Sequence, residues 1–296
     1  MQAPLHQSVM PVEAIEGLQV KTRKWYVDGT FGRGGHTQAI LEKGGKVIAF
    51  DFDQEAIDFG QEKFKNEIEA GSLILLRSNF RDLKNQLDNL RTEVKQSIYG
   101  ILFDFGTTVD QLKDATRGFS FDSDSELDMR MDDRLGVKAK DLLALIDEHQ
   151  LALLFQEYGG EESSKSIAKA IVRERQIKPI TTTKQLTGII ERMKQSRGHL
   201  HPATKVFQAL RVAVNSELEN ISDVLPQAVE VLQSGGRVVT ISFHEGEDRI
   251  AKQTLKKWEE QGKGKQITKR PLEANADELR ENPRARSAKL RIFELK

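Results

Sequence analysis

The chain has 296 residues, of which 45 are basic and 45 acidic, so its formal net charge is zero. It contains no cysteine, which excludes disulfides and zinc-thiolate sites. No apolar stretch approaches the roughly 20 residues of a membrane span, and residues 1–6 lack the basic and apolar regions of a signal peptide. These features predict a soluble cytosolic protein, built as one large α/β domain or as a domain with an insert.

The charges are distributed unevenly along the chain. Residues 51–148 carry 13 basic and 22 acidic residues, whereas residues 161–211 carry 11 and 4, and residues 249–296 carry 14 and 7. Two basic segments therefore flank an acidic body, which favours a polyanionic substrate. The alternative is that these charges are only solvated helix faces and a charged tail.

A glycine-rich turn, VDGTFGRGGH at residues 27–36, follows an apolar and aromatic run and precedes an apolar helix start. Four glycines in seven positions allow a backbone to approach a ligand closely. The turn does not meet the G-x-G-x-x-G pattern of dinucleotide sites. Asp28 would repel a pyrophosphate, but its carboxylate could hold an ammonium group.

A second predicted strand, residues 46–51, also ends in an acid, Asp51. Doubly wound folds place at this position the group that accepts a hydrogen bond from a ribose hydroxyl. The two acids together favour S-adenosylmethionine, which carries an ammonium and a sulfonium and no phosphate. The turn alone is compatible with a plain loop or with another nucleotide's site.

Two further apolar runs predict buried strands at residues 73–76 and 98–104. The first is followed by Phe80, which could stack on an adenine or pack in the core. The second ends at Asp104, so that three strands deliver an acid at their carboxyl ends. Ligands of open parallel sheets bind in the crevice beyond those ends.

The remaining chain predicts a helical insert and the return of the sheet. Residues 6–20 predict a capping helix, and Asp53 is a plausible N-cap of a helix to about residue 69. Residues 107–135 resemble a long ordered loop, and helical patterns follow at 138–157, 161–175 and 183–194. The second of these aligns Lys165, Lys169 and Arg173 in a basic ridge. A long helix from residue 201, a fifth strand at 235–243 that leads to His244, and a final strand with alternating Leu290 and Ile292 complete the pattern.

Several tracts resemble the RsmH (MraW) family of bacterial methyltransferases H of small-subunit ribosomal RNA, which methylate a cytosine on its exocyclic N4. They span nearly the whole chain in the family's order. In chain order they are residues 28–36 (DGTFGRGGH), 117–121 (RGFSF), 127–132 (LDMRMD), 201–204 (HPAT), 207–211 (FQALR), 241–244 (ISFH), 247–249 (EDR) and 282–287 (NPRARS).

The resemblance implies a Rossmann-like methyltransferase domain of residues 1–107 and 201–296, with an inserted helical substrate-recognition domain of residues 108–200. It implies S-adenosylmethionine as cofactor and the following donor contacts: Gly34, Gly35, His36, Asp51, Phe80, Asp104 and Gln111. The chain departs from the family pattern at residues 105–110, 125–126 and 245–246. These departures cluster where the acceptor base should sit.

A cytosine N4 amine is a poor nucleophile, so the reaction needs an aligned amine and a proton acceptor. Asp104 could position the donor or bind the amine, and the first role is favoured. His244 could accept the proton or contact the base, or it could merely close a strand-end hydrogen bond.

Lys165, Lys169, Arg173, Arg284 and Arg286 are predicted to contact RNA phosphates, with ribosomal RNA or the small ribosomal subunit as the partner. No metal or membrane is expected. The alternatives are a methyltransferase of DNA, another RNA or a small amine, a non-catalytic RNA-binding assembly factor and, least favoured, a nicotinamide oxidoreductase.

Overall fold

A computed structural model describes residues 8–95, 97–107, 116–121, 124–194 and 201–296. The chain divides into two compact units, the first formed by Met1–Gly106 and Leu218–Lys296 and the second by Thr107–Glu217. The second unit thus extends to Glu217, whereas the insert predicted from the sequence ends at residue 200. The reason is that the helix Thr204–Asn215 packs against the helix Glu148–Gly159.

The first unit contains a seven-stranded sheet in the order β3-β2-β1-β4-β5-β7-β6. β1 to β5 pair in parallel, and β7 runs antiparallel to both β5 and β6. This arrangement confirms the predicted α/β fold with a Rossmann-like sheet. The strands are β1 Trp25–Asp28, β2 Lys46–Asp51, β3 Leu73–Arg77, β4 Ile98–Asp104, β5 Arg237–Ser242, β6 Gly264–Gln266 and β7 Lys289–Leu295.

The strand order reverses between β1 and β4, and this position locates the site. β2 and β3 follow on one side of β1, whereas β4 and β5 lie on the other. In open α/β sheets the crevice outside the carboxyl ends of the strands at such a reversal is where ligands bind. Asp28 ends β1 and Asp104 ends β4, so both lie at this reversal.

The helices alternate with the strands in the first unit and form the body of the second. The central strands β1, β2 and β4 are almost wholly buried, because helices cover the sheet. In chain order the helices are α1 Pro11–Leu18, α2 Gly35–Glu42, α3 Gln54–Lys63, α4 Lys65–Glu69, α5 Leu83–Asp88, α6 Thr92–Lys95, α7 Ala139–Leu145, α8 Glu148–Gly159, α9 Ser164–Arg175, α10 Thr183–Met193, α11 Thr204–Asn215, α12 Glu217–Val231, α13 Glu245–Glu260 and α14 Ala276–Glu281.

The structure corrects three local predictions. β3 is an edge strand in which only Leu73 is buried, so the prediction of a fully buried strand is wrong. The helix from Asp53, whose side chain does accept from the Glu55 N–H as the predicted N-cap, is split at Phe64 because that ring turns inward onto Phe31. β7 does not alternate. Its Arg291 is buried as well, because it forms an ion pair with Asp248 at 2.7 Å.

The second unit combines irregular chain with helices α7 to α11. The predicted long loop is confirmed where the structure describes it, at residues 116–121 and 124–138, and an isolated bridge joins Glu126 to Thr182. The predicted helix at 138–157 is two helices, since α8 begins at its own N-cap, Asp147, which accepts from the Gln150 N–H at 2.8 Å. None of the helices in the described ranges is long and apolar enough to cross a membrane.

Candidate functional site

The loop between β1 and α2 is held over the strand ends by the carboxylates of Asp28 and Asp51. Asp28 accepts from the Thr30 N–H at 3.1 Å and from the Thr37 hydroxyl at 2.7 Å. The Gly32 N–H donates to Asp51 Oδ2 at 2.8 Å, which ties the loop to the end of β2. The glycine-rich turn therefore has a fixed path determined by two neighbouring strands.

Asp28 is a structural anchor of this loop. Its side chain has no exposed surface, and both of its oxygens accept hydrogen bonds from the loop itself. Burial raises the pKa of Asp28, and the charge of His36 and the bonds from Thr37 and Thr30 oppose that effect. The interpretation that Asp28 could hold a ligand's ammonium group is therefore wrong.

Gly34 and Gly35 carry the loop into the first turn of α2. Gly34 has a φ of 72°, and a Cβ there would lie 2.5 Å from the ring of Phe64. A Cβ on Gly35 would lie 2.0 Å from the Ser8 hydroxyl. Gly34 therefore requires glycine, whereas a Cβ at Gly35 would only require the Ser8 hydroxyl to turn away.

Asp51 lies partly exposed at the end of β2, and the pKa of its carboxyl group is raised. Its two oxygens accept from the N–H groups of Asp53 at 2.9 Å and Gly32 at 2.8 Å. Burial raises the pKa of Asp51 to about 7, and these two bonds only partly offset the effect of burial. This carboxylate is consequently positioned to gain from further hydrogen-bond donors.

His36 and Asp104 face each other at the strand reversal. His36 Nε2 lies 3.5 Å from Asp104 Oδ2, which is an ion-pair distance and too long for a strong hydrogen bond. Within the described residues, neither His36 nitrogen nor Asp104 Oδ1 has a hydrogen-bond partner, although all three atoms are buried. Such atoms are costly unless something binds them.

The charge state of His36 follows from its two acidic neighbours. Burial alone lowers the pKa of the imidazole, but the nearby carboxylates of Asp104 and Asp28 outweigh burial, so the pKa lies above its ordinary value. Asp104 is itself positioned by its backbone, whose N–H donates to the Thr30 hydroxyl at 2.7 Å.

The other two residues predicted to contact the donor are Phe80 and Gln111. Phe80 begins a short 3-10 turn, and its ring packs against Phe103 at 5.7 Å and Phe105 at 6.0 Å between centroids. These contacts match the core-packing alternative, and adenine stacking by Phe80 stays a prediction. Gln111 lies outside the described residues.

His244 is the N-cap of α13. Its Nδ1 accepts from the Gly246 N–H at 3.2 Å, and its Nε2 lies 3.1 Å from Glu247 Oε1. In a neutral ring the proton is then on Nε2, and the only lone pair is already used by the cap. This geometry favours the simple strand-end role over the role of proton acceptor.

The predicted phosphate contacts lie on two basic surfaces. Lys165, Lys169 and Arg173 are exposed on α9, and none of them forms an ion pair with a described residue. Arg284 and Arg286 lie on a 3-10 turn, Pro283–Ser287, with Arg284 beside the ring of Phe243 at 5.9 Å and Arg286 exposed.

Sequence reasoning missed two side chains that organise the crevice. The Thr37 hydroxyl donates to Asp28 at the end of β1, and the Thr30 hydroxyl accepts from the Asp104 N–H at the end of β4. These two bonds fix the loop relative to both strand ends. The position of the two threonines on either side of the glycines was the available signal. Hydroxyls beside a glycine turn commonly satisfy buried carboxylates and backbone groups.

Comparison with known proteins identifies the family. The model of the MraW methylase family matches residues 3–296. Three proteins named ribosomal RNA small subunit methyltransferase H, from Desulfotalea psychrophila, Endomicrobium trichonymphae and Coprothermobacter proteolyticus, are 46%, 42% and 41% identical to this chain. The alignments cover 98%, 98% and 97% of this chain and 98%, 98% and 95% of the relatives. The resemblance carried by the motifs is thus confirmed, and the chain belongs to the MraW methylase family.

Proposed function

We propose that this protein uses S-adenosylmethionine to methylate the exocyclic N4 of a cytosine in small-subunit ribosomal RNA, and that it acts in the cytoplasm. Family membership and the names of its relatives support an rRNA methyltransferase. The observation that carries the proposal is the crevice at the reversal between β1 and β4, where a glycine turn meets Asp51, Asp104 and His36.

The residues of the crevice fit this donor. S-adenosylmethionine carries an ammonium group, a sulfonium and ribose hydroxyls, and no phosphate. Asp104 Oδ1 is a buried acceptor without a partner in the described chain, as a cationic group requires. Asp51 is partly exposed and can accept from ribose hydroxyls. The Gly34–Gly35 backbone permits a close approach, and Gln111 is proposed as a further contact.

In the proposed reaction the chain positions two molecules. When bound, the donor supplies a methyl group on a sulfonium, whose carbon–sulfur bond breaks as the carbon–nitrogen bond to N4 forms. Asp104 holds the donor's amino end, and Asp51 holds its ribose. Alignment of the reacting atoms is the main contribution. The N4 proton passes to solvent water as the bond forms, and we assign His244 the role of positioning α13.

RNA binding is assigned to the basic residues on both units. Lys165, Lys169 and Arg173 are exposed along one face of α9 and form no ion pair with a described residue, and Arg284 and Arg286 add two basic side chains on the first unit. Phosphate contacts of this kind fix the position of an RNA and make its affinity salt-dependent. The target base must also leave its stack to reach a crevice.

The proposal is tested with small ribosomal subunits from cells that lack the protein. Purified protein and radiolabelled donor are added, and the modified nucleotide is mapped by mass spectrometry after nuclease digestion. We expect one cytosine to gain a methyl group on N4, and Asp104→Asn to slow the transfer about 10- to 100-fold at limiting donor concentration. Methylation of DNA or of small amines instead would contradict the proposal. Donor binding without transfer to any substrate would favour a non-catalytic assembly factor.

A further inference from the structure

A separate cavity of about 330 Å³ lies wholly within the second unit. Its size is at the small end of the roughly 300–1,000 Å³ of ligand pockets. Four of the sequence tracts that characterise the family supply its walls. The lining residues are Phe119, Ser120, Phe121, Met129, Thr204, Phe207, Gln208 and Arg211.

The wall of the cavity is aromatic and rigid. The ring of Phe121 stacks on His201 with 4.2 Å between centroids and meets Phe207 edge-on at 5.7 Å. Phe121 itself is only partly buried, whereas Phe119 and Phe207 are buried. One ring is thus fixed by its neighbours while part of its surface faces the cavity, which suits stacking with a planar group.

The backbone beneath the cavity is strained and firmly held. Met129 has a φ of 60°, which is costly for a residue with a long side chain. Asn215 donates to the Met129 carbonyl at 2.8 Å and accepts from the Met131 N–H at 2.7 Å. Arg117 donates to the Met131 carbonyl at 2.7 Å and its own carbonyl accepts from the Met129 N–H at 2.9 Å. Strain that is held in this way is common at ligand sites.

The polar groups of the wall are suited to a base edge. Gln208 makes one long bond, from Nε2 to the Tyr158 carbonyl at 3.4 Å, and its Oε1 has no partner in the described chain. A side-chain amide offers one acceptor and two donors, as the edge of a nucleobase requires. Arg211 is fixed by a two-pronged ion pair with Glu217, both distances being 2.8 Å. The Arg211 guanidinium therefore forms a fixed part of the cavity wall, and Glu217 largely neutralises its charge.

We infer that this cavity binds one unstacked nucleobase of the RNA substrate, with Phe121 stacking on the base and Gln208 bonding its edge. The inference rests on the proposed function for the identity of the polymer. Sequence-specific RNA recognition uses splayed bases stacked on aromatic side chains and read along their edges. We expect the loss of either contact to weaken RNA binding about tenfold, since a stacked base and a bonded base edge each contribute affinity of that order.

The first test compares Gln208→Leu and Phe121→Leu with Gln156→Leu, a matched change at an exposed position of α8. Steady-state methylation of small subunits and the affinity for S-adenosylhomocysteine are both measured. We expect the first two variants to raise KM for the subunit about tenfold with an unchanged donor affinity, and Gln156→Leu to behave as the parent. A KM unchanged in both cavity variants would overturn the inference.

The second test does not depend on catalysis. RNA containing 5-iodocytidine is cross-linked to the full-length protein by ultraviolet light, and the tryptic peptides are identified. We expect adducts on residues 118–130 or 206–211, and their loss in Phe121→Leu. Adducts on these peptides without methylation would leave the cavity assigned and refute the proposed function. Methylation with adducts only elsewhere, or no RNA adduct at all, would refute the cavity.

Discussion

The crevice of the first unit and the cavity of the second differ in chemistry and in construction. The crevice presents two carboxylates at the ends of regular strands and an imidazole in the first turn of α2. The cavity presents rings and an amide on irregular chain, with Met129 in a strained conformation. A cationic donor is bound by charged side chains, whereas a planar base is bound by aromatic rings and an amide. Charge is delivered by strand tips, whereas stacking surfaces are built from long-range contacts.

The two regions are also stabilised in different ways. Asp28 is buried without exposed surface and holds the crevice loop through Thr30 and Thr37. Asn215, buried in the second unit, holds the irregular chain through Met129 and Met131. In both cases one buried polar side chain replaces regular secondary structure, because buried backbone and carboxylate groups must be satisfied.

The largest expected effect is a loss of affinity for the donor when the crevice is altered. Asp104→Asn removes the partly buried carboxylate that would pair with the donor's ammonium group, and a bond of this type contributes about 1.5–3 kcal/mol. We expect the affinity for S-adenosylhomocysteine to fall by about 10- to 100-fold, as measured by calorimetry. Asp88→Asn, at an exposed position of α5, is the control. An unchanged affinity in Asp104→Asn would remove Asp104 from the donor site.

The next effect concerns the stability of the second unit. Gly118 has a φ of 73°, and a Cβ there would lie 2.2 Å from the Glu126 carbonyl oxygen, which is backbone and cannot swing away. We expect Gly118→Ala to lower the free energy of unfolding by about 1–3 kcal/mol, as measured in urea. Gly136→Ala is matched, because nothing lies within 4 Å of its Cβ. Equal stability of the two variants would show that the irregular chain is not held as described.

A smaller effect tests the acidity of Asp51, whose pKa burial raises to about 7. Ribose hydroxyls donate to the ionised carboxylate, so donor binding releases a proton and the affinity rises with pH until about 7. We expect about a tenfold gain between pH 6 and 8 that is absent in Asp51→Asn. The same raised pKa makes the contribution of Asp51 to the free energy of unfolding fall as the pH rises from about 4 to about 7. An affinity for the donor that does not change with pH would contradict the assignment of Asp51 to the donor's ribose.

The smallest effect concerns the ridge on α9. Neutralising Lys165, Lys169 and Arg173 together to glutamine should reduce the slope of log RNA affinity against log salt by about 2, since each phosphate contact contributes roughly 0.7–0.9. Filter binding at several salt concentrations measures the slope. The control neutralises three lysines that already pair with glutamates, namely Lys65, Lys84 and Lys256. Identical slopes for the two triple variants would reject the ridge.

Regular structure and strand-tip acids could be predicted from the sequence, because apolar runs and terminal acids are local signals. The role of Asp28 could not, since its complete burial under Thr37 depends on how the loop folds back. β3 was misjudged because its edge position depends on the strand order and not on its own residues.

The cavity was outside the reach of sequence patterns for a related reason. The tracts at residues 117–121 and 127–132 have no period that predicts a strand or a confident helix, and the helix predicted from residue 201 does not indicate which segment it packs against. They meet through contacts such as Asn215 with Met129, which lie 86 positions apart in the chain. The family motifs marked these residues as belonging together, and only the structure gives their common surface.

Titration calorimetry with S-adenosylhomocysteine tests the central claim most directly, when the parent protein is compared with Asp51→Asn and Gln208→Leu. We expect tight binding to the parent, binding weakened about tenfold or more in Asp51→Asn, and parent-like binding in Gln208→Leu. No heat of binding with the parent, or a loss in Gln208→Leu with Asp51→Asn unaffected, would contradict it.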